Sequence, residues 1–185
     1  MIEAMVMLDE GVARETVDKA AEKFGMPMGP IELADQVGLD ICLDVADMLK
    51  RSLPREQPDA PQWLRDKVAK KELGRKTGKG FYDWKDGKAI KAHDVAEPTP
   101  EMTDRLILPI LDVCAGALRE GIVDDADIVD GAMIFGTGFA PFRGGPLHYA
   151  KARGVDNIVS TLRDFTQKYG KRFSPDPGWD QLKRA

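Results

Sequence analysis

Apolar positions recur at helical spacing along almost the whole chain. Val17, Ala20, Ala21 and Phe24 form an i, i+3, i+4, i+7 stripe. They predict a helix ending at Phe24, with Gly25 suited to a left-handed cap and Pro27 following. Gly29-Pro30 predicts a new start with proline at the first helical position, and Ile31, Leu33, Ala34 and Val37 carry the helix to a stop at Gly38. Asp40 is placed as the N-cap of an amphipathic helix with Ile41, Val45, Met48 and Leu49 on one face. After a loop containing Pro54, Pro58 and Pro61, the pattern from Gln62 to Leu73 predicts a helix with Trp63, Leu64 and Val68 inward and Gly74 as its stop. Phe81-Tyr82-Asp83-Trp84 and Ala89-Ile90 flank Asp86-Gly87, a dipeptide that tolerates the positive φ angles of a type I′ turn, so a β-hairpin is expected here.

The stretch from Ala92 to Pro100 is polar and punctuated by Pro98 and Pro100, as an exposed connection should be. Beyond it, Leu106, Ile107, Ile110, Leu111, Cys114 and Leu118 define a long helix in which Pro109 removes one backbone donor. Asp124, Pro146 and Asp156 are start signals for three more helices, with stops at Gly136, Gly154 and Gly170. The halves also resemble each other. Leu8-Asp9-Glu10-Gly11-Val12 aligns with Leu118-Arg119-Glu120-Gly121-Ile122 at a shift of 110, and Gly29-Pro30 through Asp40 aligns with Gly145-Pro146 through Asp156 at a shift of 116. The six additional residues are expected in the glycine-rich loop from Gly136 to Gly144. The pattern therefore predicts an all-α fold of two tandem, pseudo-symmetric helical units with one small hairpin. Residues 1–91 form the first unit, 92–100 a linker, and 101–185 a second, degenerate copy.

Composition narrows the function classes. A chain of 185 residues, 43% apolar and 31% charged, has enough apolar material for a core. No apolar run approaches the roughly 20 residues that span a bilayer, so no membrane span is expected and a cytoplasmic location is. The net charge of −4 gives no general attraction to nucleic acid, and no nucleic-acid partner is expected. Cys42 and Cys114 lack CxxC spacing and are expected as buried free thiols. Asp124, Asp125 and Asp127 suit caps and solvated faces, and no metal is expected. His93 and His148 stand in no catalytic motif, so no catalytic residue is assigned. Arg75, Lys76 and Lys79 lie among glycines but lack Walker A spacing and a hydroxyl after the lysine, leaving a ligand phosphate or plain solvent as their counterpart.

The ordered motifs carry a resemblance. Glu3-Ala4, Leu8-x-Glu10-Gly11, Gly25-Met26-Pro27-Met28-Gly29-Pro30-x-Glu32-Leu33-Ala34-Asp35-x-x-Gly38-Leu39-Asp40 and Gly74-Arg75-Lys76-Thr77-Gly78-Lys79-Gly80-Phe81-Tyr82 together resemble the C-terminal domain of 3-hydroxyacyl-CoA dehydrogenases. Gly138-Phe139-Ala140-Pro141-Phe142-Arg143-Gly144-Gly145-Pro146-Leu147 is similar to the second copy in the multifunctional enzymes that join an enoyl-CoA hydratase to the dehydrogenase. The resemblance implies a parent oxidoreductase of fatty-acid β-oxidation in which a separate Rossmann domain of the same chain holds NAD and a histidine–glutamate pair. No GxGxxG fingerprint occurs in these 185 residues, so no cofactor is expected to bind this chain. It also implies that Pro27, Met28, Gly29, Pro30 and Leu33 line the acyl-chain side of the acyl-CoA site, that the region dimerises, and that a thiolase subunit is a partner. Asp104 stands where the family has an asparagine before an arginine, which implies no catalytic site in the second copy. The rival expectation is a stand-alone helical assembly module without enzymatic activity.

Overall fold

A computed structural model describes residues 1–53, 58–92 and 94–183. His93 and Pro54 of the expectations above lie outside the described residues. Helices α1 (Ile2–Asp9), α2 (Arg14–Phe24), α3 (Pro30–Val37), α4 (Leu39–Ser52) and α5 (Gln62–Ala69) are followed by a 3-10 turn at Arg75–Thr77 and the hairpin β1 (Asp83–Lys85) and β2 (Lys88–Ile90). Then come α6 (Pro100–Arg119), α7 (Ala126–Thr137), a 3-10 turn at Pro141–Arg143, α8 (Pro146–Arg153), α9 (Val155–Tyr169), a 3-10 turn at Lys171–Phe173 and α10 (Trp179–Leu182). The fold is all-α with one antiparallel hairpin among the described residues, in which Trp84 pairs with Ala89. Asp86 and Gly87 have φ of 52° and 75°, the two positive values a type I′ turn requires. Among the described residues no helix is long and apolar enough to cross a membrane.

Contacts divide the chain into two compact units. The first comprises residues 1–23 and 28–103, the second residues 24–27 and 104–185. In the first, Ala4, Met5, Met7, Val17, Ala20, Ala21, Ile31, Ala34, Leu39, Leu64, Phe81 and Tyr82 are buried. The core of the second joins Ile107, Leu108 and Leu111 of α6 to Val129, Phe139, Leu147, Ile158, Leu162, Phe165, Phe173 and Trp179. It also takes in Phe24, whose ring meets Phe139 and Tyr149 edge-on at 5.6 and 5.1 Å. Arg143 stacks 4.1 Å above the Phe24 ring and donates to its carbonyl at 2.7 Å.

Several boundaries differ from the sequence expectation. The helix expected from Gln62 to Leu73 ends at Ala69, because Lys71 takes a left-handed φ of 58° and its amide closes on the Val68 carbonyl. That frees Leu73 to accept from the Leu39 amide at 3.1 Å. Asp40 is inside α4 rather than its cap, and its carboxylate pairs with Lys76 at 2.6 Å. The α7 cap is Asp125, which accepts from the Asp127 amide, and the helix runs past Gly136 to Gly138 at φ 72°. On α4, Ile41, Val45 and Met48 face outward at 40–47% exposure. Arg14 to Ala126, the starts of α2 and α7, are already 112 apart, so two of the six additional residues precede Gly136.

Candidate functional site

The turn from Pro27 to Pro30 is built around a carboxylate from another helix. Helix α3 begins with Gly29 as N-cap and Pro30 as its first residue, so no side chain of its own can satisfy the next amides. Asp18 of α2, 1% exposed, does so: it accepts from Ile31 N at 2.7 Å, Glu32 N at 3.1 Å and the Tyr82 hydroxyl at 2.8 Å. Burial pushes the Asp18 carboxyl above its usual range despite these bonds and the nearby Lys91. Gly29 is required for space rather than conformation. Its φ is an ordinary −73°, but a Cβ there would come within 2.2 Å of the Asp18 side chain.

Of the residues expected to line an acyl site, Met28, Gly29, Pro30 and Leu33 lie in the first unit and Pro27 groups with the second. Pro27 is exposed, Met28 and Pro30 are partly buried, and Leu33 projects from α3 at 39% exposure. Leu33 and Val37, one turn apart on α3 and both 39% exposed, form an apolar strip next to the turn.

The glycine-rich basic segment is wound on a second buried carboxylate. Asp35 of α3, 0% exposed, accepts from Phe81 N and Tyr82 N, each at 2.8 Å, and from Trp84 Nε1 at 2.9 Å. Gly74 and Gly80 allow this approach, since a Cβ at either would come within 2.2 Å of Asp35 atoms. Lys76 pairs with Asp40, while Lys79 and Lys67 pair with Glu72 at 2.8 and 3.0 Å. The two lysines hold the Glu72 carboxyl at about 2. Arg75 donates to Gln36 Oε1 at 3.3 Å. Two of the three cations that invited a ligand phosphate thus have carboxylates of their own chain as counter-charges.

The second unit repeats the capping device. Asp130 of α7 accepts from Leu147 N at 2.6 Å and His148 N at 2.9 Å at the start of α8, where Gly145 and Pro146 match Gly29 and Pro30. A Cβ at Gly145 would meet Asp130 at 2.3 Å. His148 is exposed. Asp104 forms a two-pronged pair with Arg153, 2.7 Å for one prong. Cys42 and Cys114 are buried, and burial raises both thiols, Cys114 to about 12. Among the described residues no group of three or more His, Cys, Asp or Glu is arranged to hold a metal ion. The organising role of Asp18, Asp35 and Asp130 was missed from the sequence. For Asp18 and Asp130 a signal existed: a Gly-Pro start without a capping side chain calls for an acceptor from elsewhere.

Comparison with known proteins fits this architecture. Residues 1–84 match the model of the 3-hydroxyacyl-CoA dehydrogenase C-terminal domain. The chain is 37% identical over 193 residues to the fatty acid oxidation complex subunit alpha of Shewanella sp. (strain ANA-3), covering 96% of this chain and 27% of that protein. It is 38% identical over 191 residues to the same subunit of Vibrio cholerae, with 96% and 27% covered. The chain therefore spans about a quarter of the length of these relatives. In fold it is similar to the 3-hydroxybutyryl-CoA dehydrogenase of Escherichia coli K12, with a TM-score of 0.77 at 19% identity, over 97% of this chain and 56% of that one. The dehydrogenase part of multifunctional enzyme 1 from C. elegans gives 0.60 at 19% identity, over 92% and 42%. Residues 1–84 are similar to the 3-hydroxyacyl-CoA dehydrogenase C-terminal domain family, and the chain as a whole is similar to part of the fatty acid oxidation complex alpha subunits.

Proposed function

We propose that this chain is the substrate-side and dimerisation region of an NAD-dependent 3-hydroxyacyl-CoA dehydrogenase acting in cytoplasmic fatty-acid β-oxidation, and that alone it does not turn over substrate. The observation that carries the reading is the family match of residues 1–84 within a chain similar to alpha subunits over 96% of its length. NAD, when bound, supplies the hydride acceptor. The described residues do not fit it, because their only strands form the β1–β2 hairpin and offer no strand-to-helix glycine cradle for a pyrophosphate. In this reading NAD belongs to another domain of the parent chain, and a thiolase subunit is a further partner.

The residues of this chain act on the substrate by shape. Pro27, Met28, Gly29, Pro30 and Leu33 wall the acyl chain, with Asp18 holding the start of α3 in place. Methionine suits such a wall, because its flexible thioether adapts to chains of different length. The outward Ile41, Val45 and Met48 on α4 are where a second copy packs. In the full-length parent, Met28→Ala is expected to lower kcat/KM for long acyl chains by up to ~10–100-fold, the range of one apolar contact, and to leave short chains unchanged. Melting temperature and kcat/KM across a chain-length series check this. Uniform loss at all lengths, with a large drop in melting temperature, leaves the turn as scaffold only.

A further inference from the structure

The polar stretch after β2 is largely exposed, yet it is fastened along α2. Thr16, 3% exposed, donates its hydroxyl to the Ala96 carbonyl at 3.3 Å, and Glu15 accepts from the Ala92 amide. Glu97 pairs with Lys19 at 2.7 Å and with Lys23. Residues 91–97 therefore form a strap on the helix that carries Asp18, and the strap fixes where Lys91 lies.

The Lys91 ammonium is set among three carboxylates, 2.6 Å from Glu32, 3.1 Å from Glu22 and 3.4 Å from Asp18. It also lies 5.5 Å from the centre of the Tyr82 ring, whose hydroxyl donates to Asp18. Among the described residues no other Lys or Arg forms an ion pair with any of the three. Burial works against the charge on Lys91, but the bonds to Glu32 and Glu22 and the charge of Asp18 raise its pKa above the ordinary lysine value. Without Lys91, Asp18 and Glu32 would place like charges together at the first turn of α3, with side chains only 1% and 21% exposed. Water screens such a pair poorly.

The second unit supplies a comparison within the molecule. It has the capping aspartate, Asp130, and the Gly-Pro start, but Ile134 and His148 stand where the first unit has Glu22 and Glu32. Asp130 has no Lys or Arg as an ion-pair partner among the described residues. A buried aspartate thus caps such a helix start without this cluster. The two added carboxylates and the lysine that offsets them exceed what capping needs, and they occur in the unit that carries Met28, Gly29, Pro30 and Leu33.

We infer that Lys91 is a positioning residue of the acyl-chain wall: held by the strap, it ties Asp18 of α2 to Glu32 in the first turn of α3, and so sets where Gly29, Pro30 and Leu33 stand. The inference rests on the reading that this turn walls the acyl chain. In the full-length parent, Lys91→Met is expected to speed hydrogen exchange at the Ile31 and Glu32 amides about tenfold. It is also expected to raise KM for long acyl chains about 3- to 10-fold, with less effect on kcat and on short chains. Lys91→Arg keeps the charge and is expected to recover most of both. Glu32→Gln added to Lys91→Met removes the facing like charge and is expected to recover both as well, a response that general loss of packing does not give.

Unchanged exchange in Lys91→Met would overturn the proposal. So would a loss at all chain lengths that neither Lys91→Arg nor the added Glu32→Gln recovers, since Lys91 would then serve stability alone. Faster exchange with no change in KM also overturns it, and Met28→Ala then separates the causes. If Met28→Ala still distinguishes long from short chains, the wall stands and Lys91 does not position it; if it does not, the reading of the wall itself has failed.

Discussion

At the residue scale, four buried aspartates organise this molecule. Asp18 and Asp130 complete helix starts that Gly-Pro leaves without side-chain caps, Asp35 gathers the strand-side backbone, and Asp112 accepts from Trp179 Nε1 and Asp176 N, both at 2.7 Å. Removing such an acceptor leaves donors buried without partners, which costs about 1–3 kcal/mol for each group. Asp35→Ala, with three donors stranded, is therefore expected to lower stability by at least ~3 kcal/mol, and Asp35→Asn by less, since its amide oxygen keeps part of the set. Urea unfolding followed by tryptophan fluorescence measures both. Equal losses for the two variants would show that charge, rather than acceptor count, holds the segment.

At the element scale, the helix boundaries follow local chemistry wherever a local group is available. Asp125 caps α7 through the Asp127 amide, and Asp125→Ala is expected to cost about 1 kcal/mol, seen as a small fall in denaturant midpoint with an unchanged slope. Where no local group exists, as at Pro30 and Pro146, the boundary depends on a neighbouring helix. The hairpin was legible because Asp86-Gly87 needs only its own backbone freedom. The end of α5 was not, since Lys71 turns left-handed in service of a contact between Leu73 and Leu39 that no local pattern announces.

At the scale of the whole molecule, Phe24 belongs by sequence to the first repeat and by packing to the core of the second unit. Phe24→Ala is expected to cost about 3–5 kcal/mol, as for a fully buried aromatic, and to lower the unfolding midpoint of α6–α9 in hydrogen exchange. Acid response tests the charges together. Glu72, beside Lys67 and Lys79, and Glu97, paired with Lys19 and Lys23, are each held at about 2 and contribute stability that is present above 4.5 and lost as pH falls toward 2. Asp18 and Asp130, raised by burial, act in the opposite sense. Just above 3.8 the folded state keeps protons that the unfolded state has released, so their contribution declines as pH rises through that window. Glu97→Gln is expected to flatten the fall in melting temperature between pH 4.5 and 2.5, and 0.5 M salt to do the same, because this pair is exposed. Asp130→Asn is expected to steepen it.

The sequence by itself determined the helical class, the hairpin, the repeat and the family motifs, because each rests on backbone preferences or spacings carried within a few residues. For the candidate site it placed Gly29-Pro30 correctly as a helix start and named the turn. Only the tertiary structure decided what that start leans on, that Lys76 and Lys79 answer to Asp40 and Glu72, and that the expected site residues divide at Pro27 between two compact units. The physical reason is range. A cap or a turn is satisfied within one element, whereas a buried carboxylate finds its donors 13 to 64 residues away, and only folding brings those groups within hydrogen-bond distance.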